Sequence, residues 1–261
     1  MDHEKDMTAQ ILSRITVVLN ETRYPENIGA AARACKNMGI SRLRVVNPEI
    51  LDMEKVLKMA THEARDIIEG MIVYDDLTRA LSGFSYIVGT SARTGRQRRP
   101  SHTPRTLAAE IPALAARNEM AILFGSEKFG LDNRALSLCN ALVTIPTTGF
   151  SSLNLAQSVM VVLYEIFSRL SAMSEKGPGP YRPRLATLEE RQGMFAHLRQ
   201  VFGAMGLFRK QPPEYWMRNA HRLLDRKDLT GRDVKTIRGF CRQVILALER
   251  RGTEEKGRKG P

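Results

Sequence analysis

Cysteine is scarce in this 261-residue chain: Cys35, Cys139 and Cys241 are its three, and they lie far apart. No C-x-x-C pair occurs, so neither a zinc site nor a disulfide framework is indicated. Each cysteine is expected to serve as a small buried hydrophobe. Histidine is thin as well: four of the five are scattered without ligand spacing, and the fifth, His3, lies near the start. The sequence therefore requires no metal. No run approaches the ~20 apolar residues of a membrane span. The opening Met1-Asp2-His3-Glu4-Lys5-Asp6 is charged and lacks the apolar core of a signal peptide. These absences point to a soluble, cytoplasmic protein with no membrane partner. Two nucleotide-binding signatures are also missing. Gly125 and Gly130 have the spacing of P-loop glycines, but Leu131-Asp132 stands where Lys-Ser/Thr is needed, and there is no G-x-G-x-x-G. No internal repeat is visible.

What the chain does have is positive charge, unevenly spread. The net charge is +12. Residues 1–170 hold 20 Lys and Arg against 18 Asp and Glu, whereas residues 171–261 hold 20 against 10. A near-neutral larger part followed by a basic smaller part points to an anionic partner, most often nucleic acid. A solubilising tail is the competing reading, because Glu254-Glu255-Lys256-Gly257-Arg258-Lys259 has a disordered composition.

The first part alternates short apolar runs with helical patterns. Strands are expected at Ile15–Leu19, Leu43–Val46, Ile72–Tyr74, Tyr86–Val88, Ala121–Phe124 and Leu142–Ile145. Helices are expected at Ile28–Met38, Thr61–Ile68, Leu77–Leu81, Thr106–Ala116 and Asn133–Cys139. This is the pattern of an α/β domain with a mainly parallel, covered sheet. Domain boundaries follow: 1–170 the α/β domain, 171–186 a Pro/Gly linker, 187–250 a small all-α region, 251–261 a disordered tail. Within the α region, helices are expected at Leu188–Met205, Pro213–Leu224 and Val234–Arg250.

Four segments carry chemistry. Asn27 is a candidate N-cap after the first strand. Gly29 and Ala30 to Ala32 then give a helix start with almost no bulk, open to close approach by a backbone or a ligand. Arg33, four residues after Gly29, is placed to grip a phosphate bidentately, or is an ordinary surface arginine. A second strand ends in Gly125 and a charged turn containing Glu127, at the strand edge where α/β sheets bind ligands. A third ends in Gly89-Thr90-Ser91-Ala92 and leads to Arg93, Arg96, Arg98, Arg99 and Arg105, with no acid among them. That loop suits an RNA or DNA backbone, or is simply solvated. The fourth segment runs from Ile145-Pro146 through Ser151, Ser152, Leu153 and Asn154 into a helix apolar on nearly all sides. Such a helix belongs in a core or an interface. One cap needs one Ser or Asn, and three stand here within four positions. They read either as helix capping or as a pocket for a small polar ligand.

Taken together, Asn27-x-Gly29-x-x-x-Arg33-x-x-x-x-x-Gly39, Phe124-Gly125-x-Glu127-x-x-Gly130-Leu131, and Ile145-Pro146 with Ser151-Ser152-Leu153-Asn154-Leu155-Ala156 resemble the three motifs of the SPOUT superfamily of RNA ribose 2′-O-methyltransferases. The likeness runs from about Ile15 to Leu170 and is nearest to the TrmJ-type tRNA (cytidine/uridine-2′-O-)-methyltransferases. It implies a C-terminal trefoil knot in the α/β fold, an exception to the usual absence of knots. It implies S-adenosylmethionine as cofactor, held by Thr90, Ser91, Ala92, Gly125, Ile145, Ser151, Ser152 and Leu153. It implies Arg33 as catalytic residue, with Asn27, Glu127 and Asn154 in support. It further implies a homodimer and a tRNA substrate, a cytidine or uridine at anticodon-loop position 32. An rRNA-directed methyltransferase and a non-catalytic RNA-binding protein of the same fold are the alternatives. The placement of the extension after the catalytic domain favours tRNA.

Overall fold

The structure is a computed structural model. It describes residues 2–91, 101–148, 153–173, 183–209, 211–224 and 228–257. The chain forms two compact units, residues 1–182 and 183–261.

The first unit is built on one sheet of six parallel strands: β1 (Ile15–Asn20), β2 (Arg42–Val46), β3 (Ile72–Tyr74), β4 (Tyr86–Thr90), β5 (Met120–Phe124) and β6 (Ala141–Val143). Their order is β3-β2-β1-β5-β4-β6. Every residue of β1 and β5 is buried, as expected of central parallel strands covered on both faces. At the β3 edge Ile72 and Val73 are exposed.

Among the described residues, eight helices accompany the sheet: α1 (Asp2–Leu12), α2 (Pro25–Asn37), α3 (Met53–Ala60), α4 (Arg65–Glu69), α5 (Leu77–Leu81), α6 (Pro104–Ala115), α7 (Asn133–Ser137) and α8 (Leu155–Met173). The alternation expected from sequence is present, with two additions. α1 and α3 were not expected, and the single helix expected at Thr61–Ile68 is a 3₁₀ turn, His62–Ala64, followed by α4. The last strand also ends earlier than expected, at Val143, leaving Thr144 to Pro146 as connecting chain.

The apolar helix expected after Asn154 is α8. It packs against α2 and α6 through Leu155, Val159, Val162, Leu163, Ile166 and Leu170. Only that face is buried; Val161 and Tyr164 are exposed. By length and composition α8 could cross a membrane, yet its buried face makes it a core helix of this unit. The knot implied by the resemblance concerns chain threading, which strand order alone does not decide; residues 92–100 and 149–152 lie outside the described residues.

The second unit holds α9 (Leu188–Ala204), α10 (Pro213–Leu224) and α11 (Gly231–Gly257). Its small core is Ala186, Met194, Phe195 and Val234, extended by Leu198, Met217, Leu229 and Ile237. Phe195 stacks on His221 at 3.6 Å. A capping box starts α9: Thr187 and Glu190 satisfy each other's backbone N–H. The segment expected to be a disordered tail from 251 is instead helical as far as Gly257.

Candidate functional site

In a parallel sheet all carboxyl ends fall on one edge. Here the register pairs Leu19 with Phe124, Gly89 with Leu123 and Thr90 with Val143. The ends of β1, β5, β4 and β6 therefore stand side by side, and each leads into one of the segments singled out in the sequence. Between β1 and β5 the strand order departs from the chain order, which is where open α/β sheets bind ligands. Glu21, just past β1, takes a left-handed conformation at φ 56°, a costly state for a non-glycine residue at the entrance to this loop.

The centre of this edge is Glu127. Its Oε2 accepts from the Arg23 backbone N–H at 2.8 Å. Its Oε1 accepts from Asn27 Nδ2 at 2.6 Å and, at 3.4 Å, from the Tyr24 N–H. Asn27 Oδ1 in turn accepts from Asn154 Nδ2 at 3.0 Å. Asn154 Oδ1 accepts from the N–H groups of Ala156 and Gln157, at 2.9 and 3.3 Å. The chain of bonds has a fixed direction. A carboxylate only accepts and a backbone N–H only donates, so both intervening amides have one satisfying orientation. The row joins the N-terminal turn of α8 to the Glu127 carboxylate through two amides.

This arrangement corrects one sequence reading and joins two others. Asn27 does not cap α2. That helix starts at Pro25, its N-cap Tyr24 makes no side-chain cap bond, and Asn27 reaches across to Glu127 instead. Asn154 accepts from the first turn of α8, as the capping reading expects, and also donates to Asn27. Ser151 and Ser152 lie outside the described residues.

Around this row lie the expected cofactor residues. Thr90, Ser91, Ile145 and Leu153 are half-buried, and Gly125 is buried. Thr90 Oγ1 donates to the Leu123 carbonyl at 3.2 Å, and Thr144 Oγ1 to the Ser91 carbonyl at 2.7 Å. These hydroxyls hold strand ends in place. Gly125 has a structural reason of its own: a Cβ there would sit 2.2 Å from the Gly130 carbonyl carbon and 2.3 Å from Leu131 N. The turn folds back on Gly125 through Gly130 N–H to Ser126 O at 2.8 Å, with Gly130 at φ +67°. Thr90, Ser91, Gly125, Ile145 and Leu153 themselves carry no charge, offering short polar groups and two aliphatic side chains. That fits an adenosine, whose ring is flat and weakly polar and whose ribose needs hydrogen-bonding partners. Ala92 lies outside the described residues.

Gly29 serves α3. A Cβ on it would lie 2.1 Å from the Val56 carbonyl oxygen, so the close approach anticipated at the small-residue helix start is that of a backbone. Arg33 is exposed and has no hydrogen-bonding or ionic partner among the described residues. Arg105 is exposed in the first turn of α6, in a loose pair with Glu165 at 3.7 Å. Arg93, Arg96, Arg98 and Arg99 lie outside the described residues. Sequence reasoning missed the Arg23 and Tyr24 amides. Backbone donors leave no mark in residue type, so nothing in the sequence could have flagged them.

The second unit carries a basic cleft lined by Arg184, Glu190, Gly231, Arg232, Val234, Lys235, Arg238 and Arg242. Its one carboxylate is committed. Arg184 donates to Glu190 Oε1 and Oε2 at 2.8 and 3.0 Å, and the Thr187 N–H adds a third bond at 2.8 Å. The Arg184 hydrogen bonds hold the Glu190 carboxyl below the ordinary glutamate range. Arg184 can lie across the start of α11 because residue 231 is Gly; a Cβ there would meet its guanidinium at 2.4 Å. The remaining cations, at 232, 235, 238 and 242, share one face of α11.

Known proteins match this chain in both units. The profile of the SpoU rRNA Methylase family matches residues 14–164, and that of the tRNA methyltransferase TrmJ C-terminal domain matches residues 189–256. The chain is 36% identical over 246 residues to tRNA (cytidine/uridine/adenosine-2′-O-)-methyltransferase TrmJ of Pseudomonas aeruginosa, covering 90% of this chain and 95% of that one. It is 34% identical to tRNA (cytidine/uridine-2′-O-)-methyltransferase TrmJ of Escherichia coli K12, covering 95% and 99%. The crystal structure of TrmJ from Z. mobilis ZM4 superposes with a TM-score of 0.71 at 28% identity, covering 88% of this chain and 98% of that one. With matched domains in both units and these relatives along nearly its whole length, this chain belongs to the SpoU methylase family, in its TrmJ branch.

Proposed function

We propose that this protein transfers a methyl group from S-adenosylmethionine to the ribose 2′-hydroxyl of a pyrimidine in tRNA, at anticodon-loop position 32. The observation that carries the reading is the bonded row Glu127–Asn27–Asn154 at the carboxyl edge of the sheet, with Arg33 exposed on the same helix as Asn27 and without a partner among the described residues. The match to the TrmJ C-terminal domain favours tRNA over rRNA.

Bound S-adenosylmethionine would supply an already electrophilic methyl group, which leaves the protein two tasks. One is to hold the ribose hydroxyl in line; the other is to ease loss of its proton. Glu127 is poorly placed to act as base, because both its oxygens are occupied by donors. Glu127, Asn27 and Asn154 are positioning residues that fix three loops relative to one another. Arg33 stays protonated and so is no base either. Its fork is suited to gripping the phosphate beside the target ribose and to stabilising the developing alkoxide. The proton then leaves to solvent. Thr90, Ser91, Ala92, Gly125, Ile145, Ser151, Ser152 and Leu153 would hold the cofactor.

The exposed Val161 and Tyr164 on α8 support a homodimer seated on that face. The basic cleft supports RNA binding by the second unit, and Arg93, Arg96, Arg98, Arg99 and Arg105 would add backbone contacts in the first. A tRNA substrate supports a cytoplasmic location. Mass-spectrometric mapping of ribose methylation in tRNA from a strain lacking the gene tests the reading. Loss of a 2′-O-methyl pyrimidine, restored by the gene, is expected; an unchanged map overturns it. Arg33→Lys tests the bidentate grip, because it keeps the charge and loses the fork. Turnover should fall by a factor of ten or more, and near-normal turnover would remove that role.

A further inference from the structure

Three exposed aromatic rings are found among the described residues of the first unit: Tyr24, Phe129 and Tyr164. Two of them stand on the loops that Glu127 joins. Tyr24 is 50% exposed and its own N–H points to Glu127 Oε1. Phe129 is 64% exposed and lies two residues beyond Glu127, in the turn closed by Ser126 and Gly130. Neither ring belongs to the core, where Phe84 and Phe124 are fully buried. The turn does not need Phe at 129, since its shape comes from Gly125, from Gly130 and from Ser126 Oγ accepting the Phe129 N–H at 3.3 Å. Each ring also carries a cation: Arg23 stands 5.6 Å from the Tyr24 centroid and Lys128 5.0 Å from that of Phe129. Each cation lies over its ring, and the rest of the ring is exposed, so a base can stack on the open surface while its phosphate meets the cation.

We infer that Tyr24 with Arg23, and Phe129 with Lys128, are two base-stacking platforms on the rim of the site, which hold unpaired bases flanking the target ribose. The inference rests on the proposed RNA substrate. It gives the site a preference for single-stranded loops, because bases inside a duplex offer no free face.

The test uses full-length protein with a fluorescently labelled anticodon stem–loop RNA and a duplex of equal length. Phe129→Ala and Tyr24→Ala should each weaken stem–loop binding about tenfold or more and leave duplex binding unchanged. Phe129→Trp should restore binding and show indole quenching when the stem–loop is added. Phe129→Leu, which keeps bulk and loses the π face, should behave like Ala. Calorimetric binding of S-adenosylmethionine should be the same in all variants, which separates a stacking defect from a collapsed site. Unchanged stem–loop affinity in both Ala variants overturns the inference while leaving the methyltransferase reading intact. Rescue by Leu, or a change in oligomeric state in the Ala variants, also overturns it and assigns the rings to a protein interface. If wild-type protein neither binds the stem–loop nor methylates tRNA, both readings fall.

Discussion

At the scale of single residues, Glu127 bears more than its polarity suggests. It answers two backbone N–H groups and one side-chain amide, so its removal leaves several donors without partners at once. Unmet donors cost about 1–3 kcal/mol each when buried, and less here because the site is only part-buried. Glu127→Ala should therefore lower stability by about 2 kcal/mol, or on the order of 4–8 °C in Tm, measured by calorimetry. It should also abolish turnover. A Glu127→Ala protein with wild-type Tm and activity would show that the row holds nothing in place. Cys35 gives a second residue-scale expectation. Full burial pushes its thiol up to about 12, so thiolate is essentially absent at neutral pH. A thiol reagent should leave Cys35 untouched in the native protein and modify it only when α2 lifts from its neighbours.

At the scale of elements, two glycines decide how segments approach. Gly125→Ala places a methyl against the backbone of Gly130 and Leu131, where no rotamer change relieves the contact. The turn must open, and we expect a loss of about 3 kcal/mol together with loss of cofactor binding by calorimetry. Gly29 has the same relation to α3. The strands were legible because parallel central strands are continuous apolar runs, and β1 and β5 are buried along their whole length. α3 was not, because eight mixed residues, MEKVLKMA, lack a long periodic pattern and settle against α2 where Gly29 lets the backbones approach. The site divides the same way. Asn27, Glu127 and Asn154 could be named because their motifs resemble those of a known family. Their bonding could not, since Asn27 meets Glu127 across 100 residues and Asn154 across 127. α9 shows a pH dependence at this scale. Arg184 and the Thr187 cap hold the Glu190 carboxyl low, so its contribution is complete above the ordinary glutamate range and is lost as pH falls through its folded value. Helical signal from the second unit should thus weaken on acidification below about pH 4, and Glu190→Gln should remove that dependence.

At the scale of the molecule, the asymmetry of charge acquires a location. The excess of 20 basic over 10 acidic residues beyond position 170 is a net property, and net charge alone gives affinity without direction. The cleft adds direction. Arg184 consumes the one carboxylate, and Arg232, Lys235, Arg238 and Arg242 remain along roughly 15 Å of one helix face, a length that spans two or three backbone phosphates. If this face tracks RNA, each cation that pairs with a phosphate releases a counterion, and affinity falls with salt in proportion to the number of pairs. The combined variant Arg232→Gln, Lys235→Gln, Arg242→Gln leaves Arg184 and its structural bonds intact. It should reduce the slope of log affinity against log salt by about 2 to 3 and raise KM for tRNA. kcat at saturating tRNA should stay near wild type, because none of the three stands among the residues assigned to the reaction. A solubilising region makes the opposite forecast: the slope and KM of the triple variant would match those of wild type, and only solubility would change.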